Sequence, residues 1–354
     1  MISGETWRLG HRPALDGLRG VAIVLVLCAH FDNPATNPIS GVGVTGVTVF
    51  FTLSGFLITA LLLEEHDRTG RIRLAAFYRR RAFRLMPALL AVVVFVLAVQ
   101  ATGTSLGVSK GMVAAVLFYA SNWWQLAHVS GLNGLSNTWS LSIEEQFYLV
   151  WPAALLFGAR WGRRGVTWVA LAGMAVSVVA LVMPGGSLTW GSLERASNLL
   201  AGCLLAVWLS GRREGRSRPW VAALALCTLA PQAMLKAALP DPLWALMVPA
   251  STVVVLWAVA QGDGVRWLSG PVLRWFGRRS YGIYLWHYPM LYAIPMWPGV
   301  PWYVRSGCVL TISLLTAEVS WRCIERPMAR LGRRQDKGWI AVPSHQPVAV
   351  SSIG

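Results

Sequence analysis

Long apolar runs broken by short clusters of arginine set the rhythm of this chain. Val21–Phe31, Leu85–Ala101, Val166–Met183, Trp220–Ala230 and Leu243–Ala260 are nearly free of charge. A helix of about 20 mostly apolar residues crosses a bilayer. Ten strong segments can be drawn, roughly 14–31, 43–63, 85–102, 138–157, 166–183, 194–210, 219–235, 243–260, 280–297 and 302–324. An eleventh, 111–127, is weaker, because it holds Ser121, Asn122 and Gln125 and runs into His128. The pattern predicts an all-α, polytopic membrane protein of about ten transmembrane helices.

The arginines orient these segments. Ten spans starting from a cytoplasmic N-terminus place 26 of the 31 Lys and Arg on the inner side, as the positive-inside rule asks. The five left over are Arg19, Lys110, Arg195, Lys236 and Arg305. Counting 111–127 as a full span would throw every later cluster outside. It is therefore read as a re-entrant or interfacial element of a long external loop, a setting that suits Trp123, Trp124 and Trp139. Both termini are then cytoplasmic. Residues 1–330 form the membrane domain, and 331–354 are expected to be a disordered cytoplasmic tail.

Composition agrees. Of 354 residues, 55% are hydrophobic and 13% charged, against about 25% charged in a soluble domain. The net charge of +16 sits between apolar runs, so it speaks for membrane topology and against nucleic acid. The five cysteines lie in or beside apolar runs without metal-site spacing, and read as small buried side chains. The first apolar run lacks a small-residue cleavage pattern after it and is expected to stay as a helix. No internal repeat is evident, which weakens a transporter built on duplicated halves.

Ionisable residues inside spans are functional candidates by default. Arg19 and His30 are eleven residues apart on the first predicted helix, about three turns, so they share a face roughly 16 Å apart. Asp16 is placed to pair with Arg19. Taken singly, His30 reads as a satisfied helix-end histidine and Arg19 as a snorkelling one; together they make a polar track, with histidine the natural base near neutral pH. Arg81 and Arg84, one turn apart in the densest basic cluster, can clamp phosphate oxygens, besides anchoring the inner face. Ser140 and Glu144 share a face of the segment that opens at Asn137. A helix macrodipole accounts for one acid there, less well for Glu144, Glu145 and Gln146 together. His287, flanked by aromatics, reads first as structural. The His11–Asp16 spacing of glycerolipid acyltransferases is interrupted by Pro13. There is no G-x-S-x-G elbow and no P-loop, and nothing argues for a metal.

In chain order these residues resemble the acyltransferase-3 family of membrane O-acyltransferases. The resemblance rests on Leu15-Asp16-Gly17-Leu18-Arg19-Gly20 with His30, Phe50-Phe51-Thr52-Leu53-Ser54-Gly55-Phe56-Leu57-Ile58, Arg81-x-x-Arg84 with Pro87, Trp139-Ser140-Leu141-Ser142-Ile143-Glu144-Glu145-Gln146-Phe147-Tyr148, Tyr281-x-x-Tyr284-Leu285-Trp286-His287 and the closing Glu325-Arg326-Pro327. It implies a ten-helix domain in the plasma membrane that takes an acyl group, acetyl first among them, from cytoplasmic acyl-CoA. The acceptor is a hydroxyl of a carbohydrate, a cell-surface glycan or a secondary metabolite such as a macrolide. No cofactor is bound; acyl-CoA is a co-substrate. The resemblance makes His30 catalytic and assigns Arg19, Arg81 and Arg84 to the donor. Many members carry an acid where this chain has Thr48, so His30 needs support from a Thr48 hydrogen bond or from Glu144, Glu145 or Asp32. Asp16, Trp139, Ser140 and His287 count as supporting or acceptor-side residues. No fused esterase-like domain is expected, and the oligomeric state is open. The rival classes are a transporter or flippase of a lipid-linked or glycan substrate and a lipid-type membrane-bound O-acyltransferase.

Overall fold

The computed structural model describes residues 7–31, 40–128, 133–183, 191–215, 218–234, 241–261, 265–295 and 298–337. All regular structure among them is helical. In chain order the helices are α1 (Pro13–His30), α2 (Ser40–Thr69), α3 (Leu74–Ala101), α4 (Lys110–Leu117), α5 (Ser121–Ala127), α6 (Thr138–Ala159), α7 (Gly162–Val182), α8 (Ser192–Ser210), α9 (Pro219–Met234), α10 (Asp241–Ala260), α11 (Pro271–Ala293), α12 (Trp302–Ser320) and α13 (Arg326–Lys337). A short 3₁₀ turn, Arg266–Ser269, precedes α11, and a π turn, Trp321–Glu325, joins α12 to α13. Each strong apolar segment of the sequence falls in its own helix. Asp32 lies outside the described residues, as does the tail beyond Lys337. The expected tail begins as helix, because α13 continues through Lys337.

Two helices begin well before their apolar segments. α3 starts at Leu74 and α11 at Pro271. Apolar content marks only the lipid-embedded length, whereas arginine is a good helix former and lets the helix run on into water. Arg79, Arg80, Arg81 and Arg84 therefore stand on a rigid helix rather than in a loop. The weak eleventh segment is broken. α4 has 8 residues and α5 has 7, about 12 Å and about 10 Å long, and neither can cross a bilayer. Between them Tyr119 takes a positive φ of 52°, a turn that ends one helix and redirects the next.

Among the described residues six helices are long and apolar enough to cross a membrane: α1, α2, α3, α7, α10, and α12 with its continuation. α6, α8 and α11 are diluted by polar side chains, and these point inward. Ser140, Ser142, Arg195, Asn198, Ser280 and His287 are all buried. The molecule is thus a multi-pass membrane protein in which α6, α8 and α11 turn polar side chains into the bundle.

Close helix crossings hold the interior together. α1 packs on α11 and α2, and α2 on α8. Where α1 meets α11, a Cβ on Gly277 would sit 1.7 Å from the Asp16 carbonyl oxygen, and one on Gly20 would sit 2.1 Å from that of Leu273. Where α2 meets α8, a Cβ on Gly55 would sit 1.9 Å from the Leu199 oxygen, and one on Gly202 1.9 Å from that of Thr52. Without water to drive association, such small-residue contacts bring helices together in lipid. Gly277→Ala should lower the unfolding temperature in detergent, an overpacking cost of about 1–3 kcal/mol or more. Gly307→Ala, where an added Cβ meets nothing within 4 Å, should leave it unchanged or raise it. Equal unfolding temperatures for the two variants would contradict this packing.

Candidate functional site

Five helices line a cavity, open at its mouth, with about 740 Å³ of space free of protein atoms, open solvent included. Arg19 of α1, Ser54 of α2, Arg81 and Arg84 of α3, Glu144 and Tyr148 of α6, and Tyr281 and Tyr284 of α11 line it. Residues far apart in the chain meet here because α1, α2 and α11 cross so closely.

One wall is a neutralised cation. The Arg81 Nε lies 2.9 and 3.0 Å from the two Glu145 carboxylate oxygens, and an Arg81 terminal nitrogen lies 2.7 Å from Glu145. Glu144 is 3.9 Å from the same guanidinium, which stacks on the Tyr148 ring at 3.3 Å. The Tyr148 hydroxyl donates to Glu144 at 2.6 Å, and Ser54 donates to the same carboxylate. A charge in this setting is tolerated when it is paired and its hydrogen bonds are met. Glu144 and Glu145 thus serve Arg81, Ser54 and Tyr148, and not the histidine as the sequence suggested.

The other two arginines differ. Arg19 and Arg84 make no ion pair with any described residue, and the Arg19 Nε has no hydrogen-bond partner among them. Arg84 feels the positive charges of Arg19 and Arg81 as well as the negative charge of Glu144. Asp16, expected to pair with Arg19, lies instead 3.4 Å from Arg278. The cavity therefore carries excess positive charge on its α1 and α3 sides.

The floor is polar. Ser140 and the Tyr284 hydroxyl are 2.5 Å apart; that hydroxyl donates to the Asn137 carbonyl at 2.9 Å, and the Asn137 amide donates to the Tyr284 carbonyl at 2.5 Å. Beyond it lie aromatic rings. The Tyr284 ring is 5.6 Å from His287, His287 is 5.1 Å from His30, and His30 is 5.2 Å from Tyr288. The Nδ1 of His30 is 2.8 Å from the Val26 carbonyl. A carbonyl only accepts, so Nδ1 carries the proton and Nε2 keeps a lone pair. No carboxylate among the described residues touches His30.

Thr48 does not support His30 either. Its hydroxyl donates to the Val44 carbonyl at 2.9 Å and accepts from Arg195 at 3.2 Å. Arg195 of α8 is fully buried, with its guanidinium 5.6 Å from the Trp139 ring. Its place among the five cations outside the loop clusters is the one sequence signal that marks it. Gln146 and Ser142 are structural. Ser142 bonds Ser121 at 2.8 Å, and Gln146 bonds Asn122 at 3.0 Å and Ser192 at 2.6 Å, which tie α5 to α6 and α8. Glu325 was also unassigned. The π turn buries it against α11, where a Cβ on Gly282 would come 2.5 Å from its oxygen.

The acyltransferase domain family matches residues 12–317. Peptidoglycan O-acetyltransferase OatA of Listeria monocytogenes serovar 1/2a is 33% identical over 90% of this chain and 56% of its own length. O-acetyltransferase OatA of Staphylococcus aureus is 30% identical over 90% of this chain and 57% of its own. The chain thus spans a little over half the length of these relatives. No solved structure matches it. The match covers both sides of the cavity, from Arg19 on α1 to Tyr284 on α11, and the chain belongs to the acyltransferase-3 family.

Proposed function

We propose that this protein is a membrane O-acyltransferase that moves an acetyl group from cytoplasmic acetyl-CoA to a hydroxyl of a carbohydrate. The observation that carries the reading is the line from a cationic cavity, through the Ser140–Tyr284–Asn137 floor, to a histidine whose Nε2 keeps a lone pair. Arg19 and Arg84 take the anionic phosphates of the donor by charge-assisted hydrogen bonds. Arg81, balanced by Glu145, shapes the wall and holds its neighbours apart. The thioester arm reaches across the floor toward His30. That distance, roughly 16 Å along α1, is one an extended pantetheine arm can bridge.

At the outer end the acceptor hydroxyl gives its proton to the His30 Nε2. Its oxygen forms a bond to the acyl carbon, and the carbon–sulfur bond breaks. The proton then goes to the departing thiolate. The same reading places about ten spans in the plasma membrane with both termini in the cytoplasm. The named activity of the relatives favours a cell-wall glycan as acceptor over a soluble metabolite. A transporter reading would instead predict substrate movement without consumption of the thioester.

The test is acetyl transfer from labelled acetyl-CoA by the purified chain in proteoliposomes, with glycan fragments as acceptors. His30→Ala should insert and fold but lose about 10²–10⁴-fold in rate; near-normal transfer would sink the mechanism. Arg84→Ala should raise the KM for the donor with little change in unfolding temperature. Arg81→Ala should behave differently, because it strands Glu145. It should destabilise the fold by about 3–5 kcal/mol, the usual cost of breaking a buried pair, read as a lowered unfolding temperature in detergent. A donor KM effect confined to Arg81→Ala would contradict the division of roles.

A further inference from the structure

The mechanism leaves His30 without the carboxylate that commonly steadies a protonated histidine. Among the described residues none reaches it, and its Nδ1 is occupied by the carbonyl of Val26. What the ring does face is a second imidazole. His287 of α11 lies with its ring centroid 5.1 Å away, at an interplanar angle of 62°. The two are unequally accessible. His30 is partly exposed, as a group that meets substrate must be, while His287 is 0% exposed and sits behind it.

The state of His287 follows from its contacts. Its Nδ1 is 3.0 Å from the Ile283 carbonyl, so Nδ1 donates and Nε2 holds a lone pair. That Nε2 has no hydrogen-bond partner among the described residues. A wholly buried acceptor left unmet is a cost to folding, and a plain core residue of this size would avoid it. The Tyr284 ring at 5.6 Å and the Tyr288 ring at 5.7 Å wall the imidazole in. The site thus holds a neutral, wholly buried imidazole beside the ring that must become positive.

We infer that His287 is the positioning partner of His30, a neutral imidazole whose lone pair steadies the imidazolium formed at His30 during acyl transfer. This rests on the acyltransferase reading above. The acceptor proton moves to the His30 Nε2 as the oxygen–carbon bond forms and the carbon–sulfur bond breaks, and it leaves on the thiol. His287 neither gains nor loses a proton; it lowers the cost of the charge beside it, which a low-dielectric site makes large.

Two variants of the full chain separate this role from a structural one. His287→Asn keeps an N–H donor near the Nδ1 position and removes Nε2. His287→Gln sets an amide near the Nε2 position instead. The expected result is a fall of about tenfold or more in kcat for His287→Asn, with donor and acceptor KM near wild type and an unchanged unfolding temperature. His287→Gln should recover a large part of that kcat. Full kcat in His287→Asn, or equal losses in both variants that track their unfolding temperatures, would overturn the inference. In either case an active wild type and an inert His30→Ala in the same assay would leave the acyltransferase reading standing. An inactive wild type or an active His30→Ala would overturn both.

Discussion

The Arg81–Glu145 pair, stacked on Tyr148, is the interaction on which the rest of the site depends. A guanidinium inside a membrane bundle has to be answered by charge and hydrogen bonds. Glu145 answers Arg81 through both of its carboxylate oxygens, and Glu144 is spent on Ser54 and Tyr148. Because both acids are committed there, Arg19 and Arg84 keep their charge for something else. A cavity that had balanced all three arginines would offer an anion nothing.

Geometry then depends on how closely α1 can lie against α2 and α11. Gly20 and Gly277 remove the side chains that would hold α1 and α11 apart, and Gly46 does the same for α2 against α1. The crossing sets Arg19 beside Arg84 at one end of α1, and His30 beside His287 at the other. One helix therefore spans from the cationic cavity to the imidazole pair. The π turn after α12 adds to the same end of the bundle by burying Glu325 beside Gly282, with Ser320 donating to it at 3.3 Å. π turns inside helices often mark functional positions.

Much of this was legible in the chain. Apolar runs located the helices, because a bilayer demands that length of apolar residues. The spacing of Arg19 and His30 placed them on one face. The weak segment at 111–127, read as a re-entrant or interfacial element because a full span would flip the later arginine clusters, is two short helices, neither long enough to span. What could not be read were the pairings between helices. Asp16 has Arg19 one turn away, yet it sits near Arg278 of α11. Glu144 and Glu145 are neighbours in sequence, but they turn toward α2 and α3 rather than toward His30. Thr48 faces Arg195 because α8 packs on α2, a contact with no local signature. Early helix starts were also hidden, because the arginines break the continuous apolar run by which a span is read.

The proposed mechanism requires one continuous track that carries the acyl group from the arginine cavity to His30. Its most direct test is a cryo-electron-microscopy map of the protein in a lipid nanodisc with a non-hydrolysable acetyl-CoA analogue. Phosphate density should lie against Arg19 and Arg84, with the arm passing the Ser140–Tyr284 floor and the acyl carbon beside the Nε2 of His30. Phosphate density away from both arginines, or an acyl carbon held on the far side of that floor from His30, would contradict it.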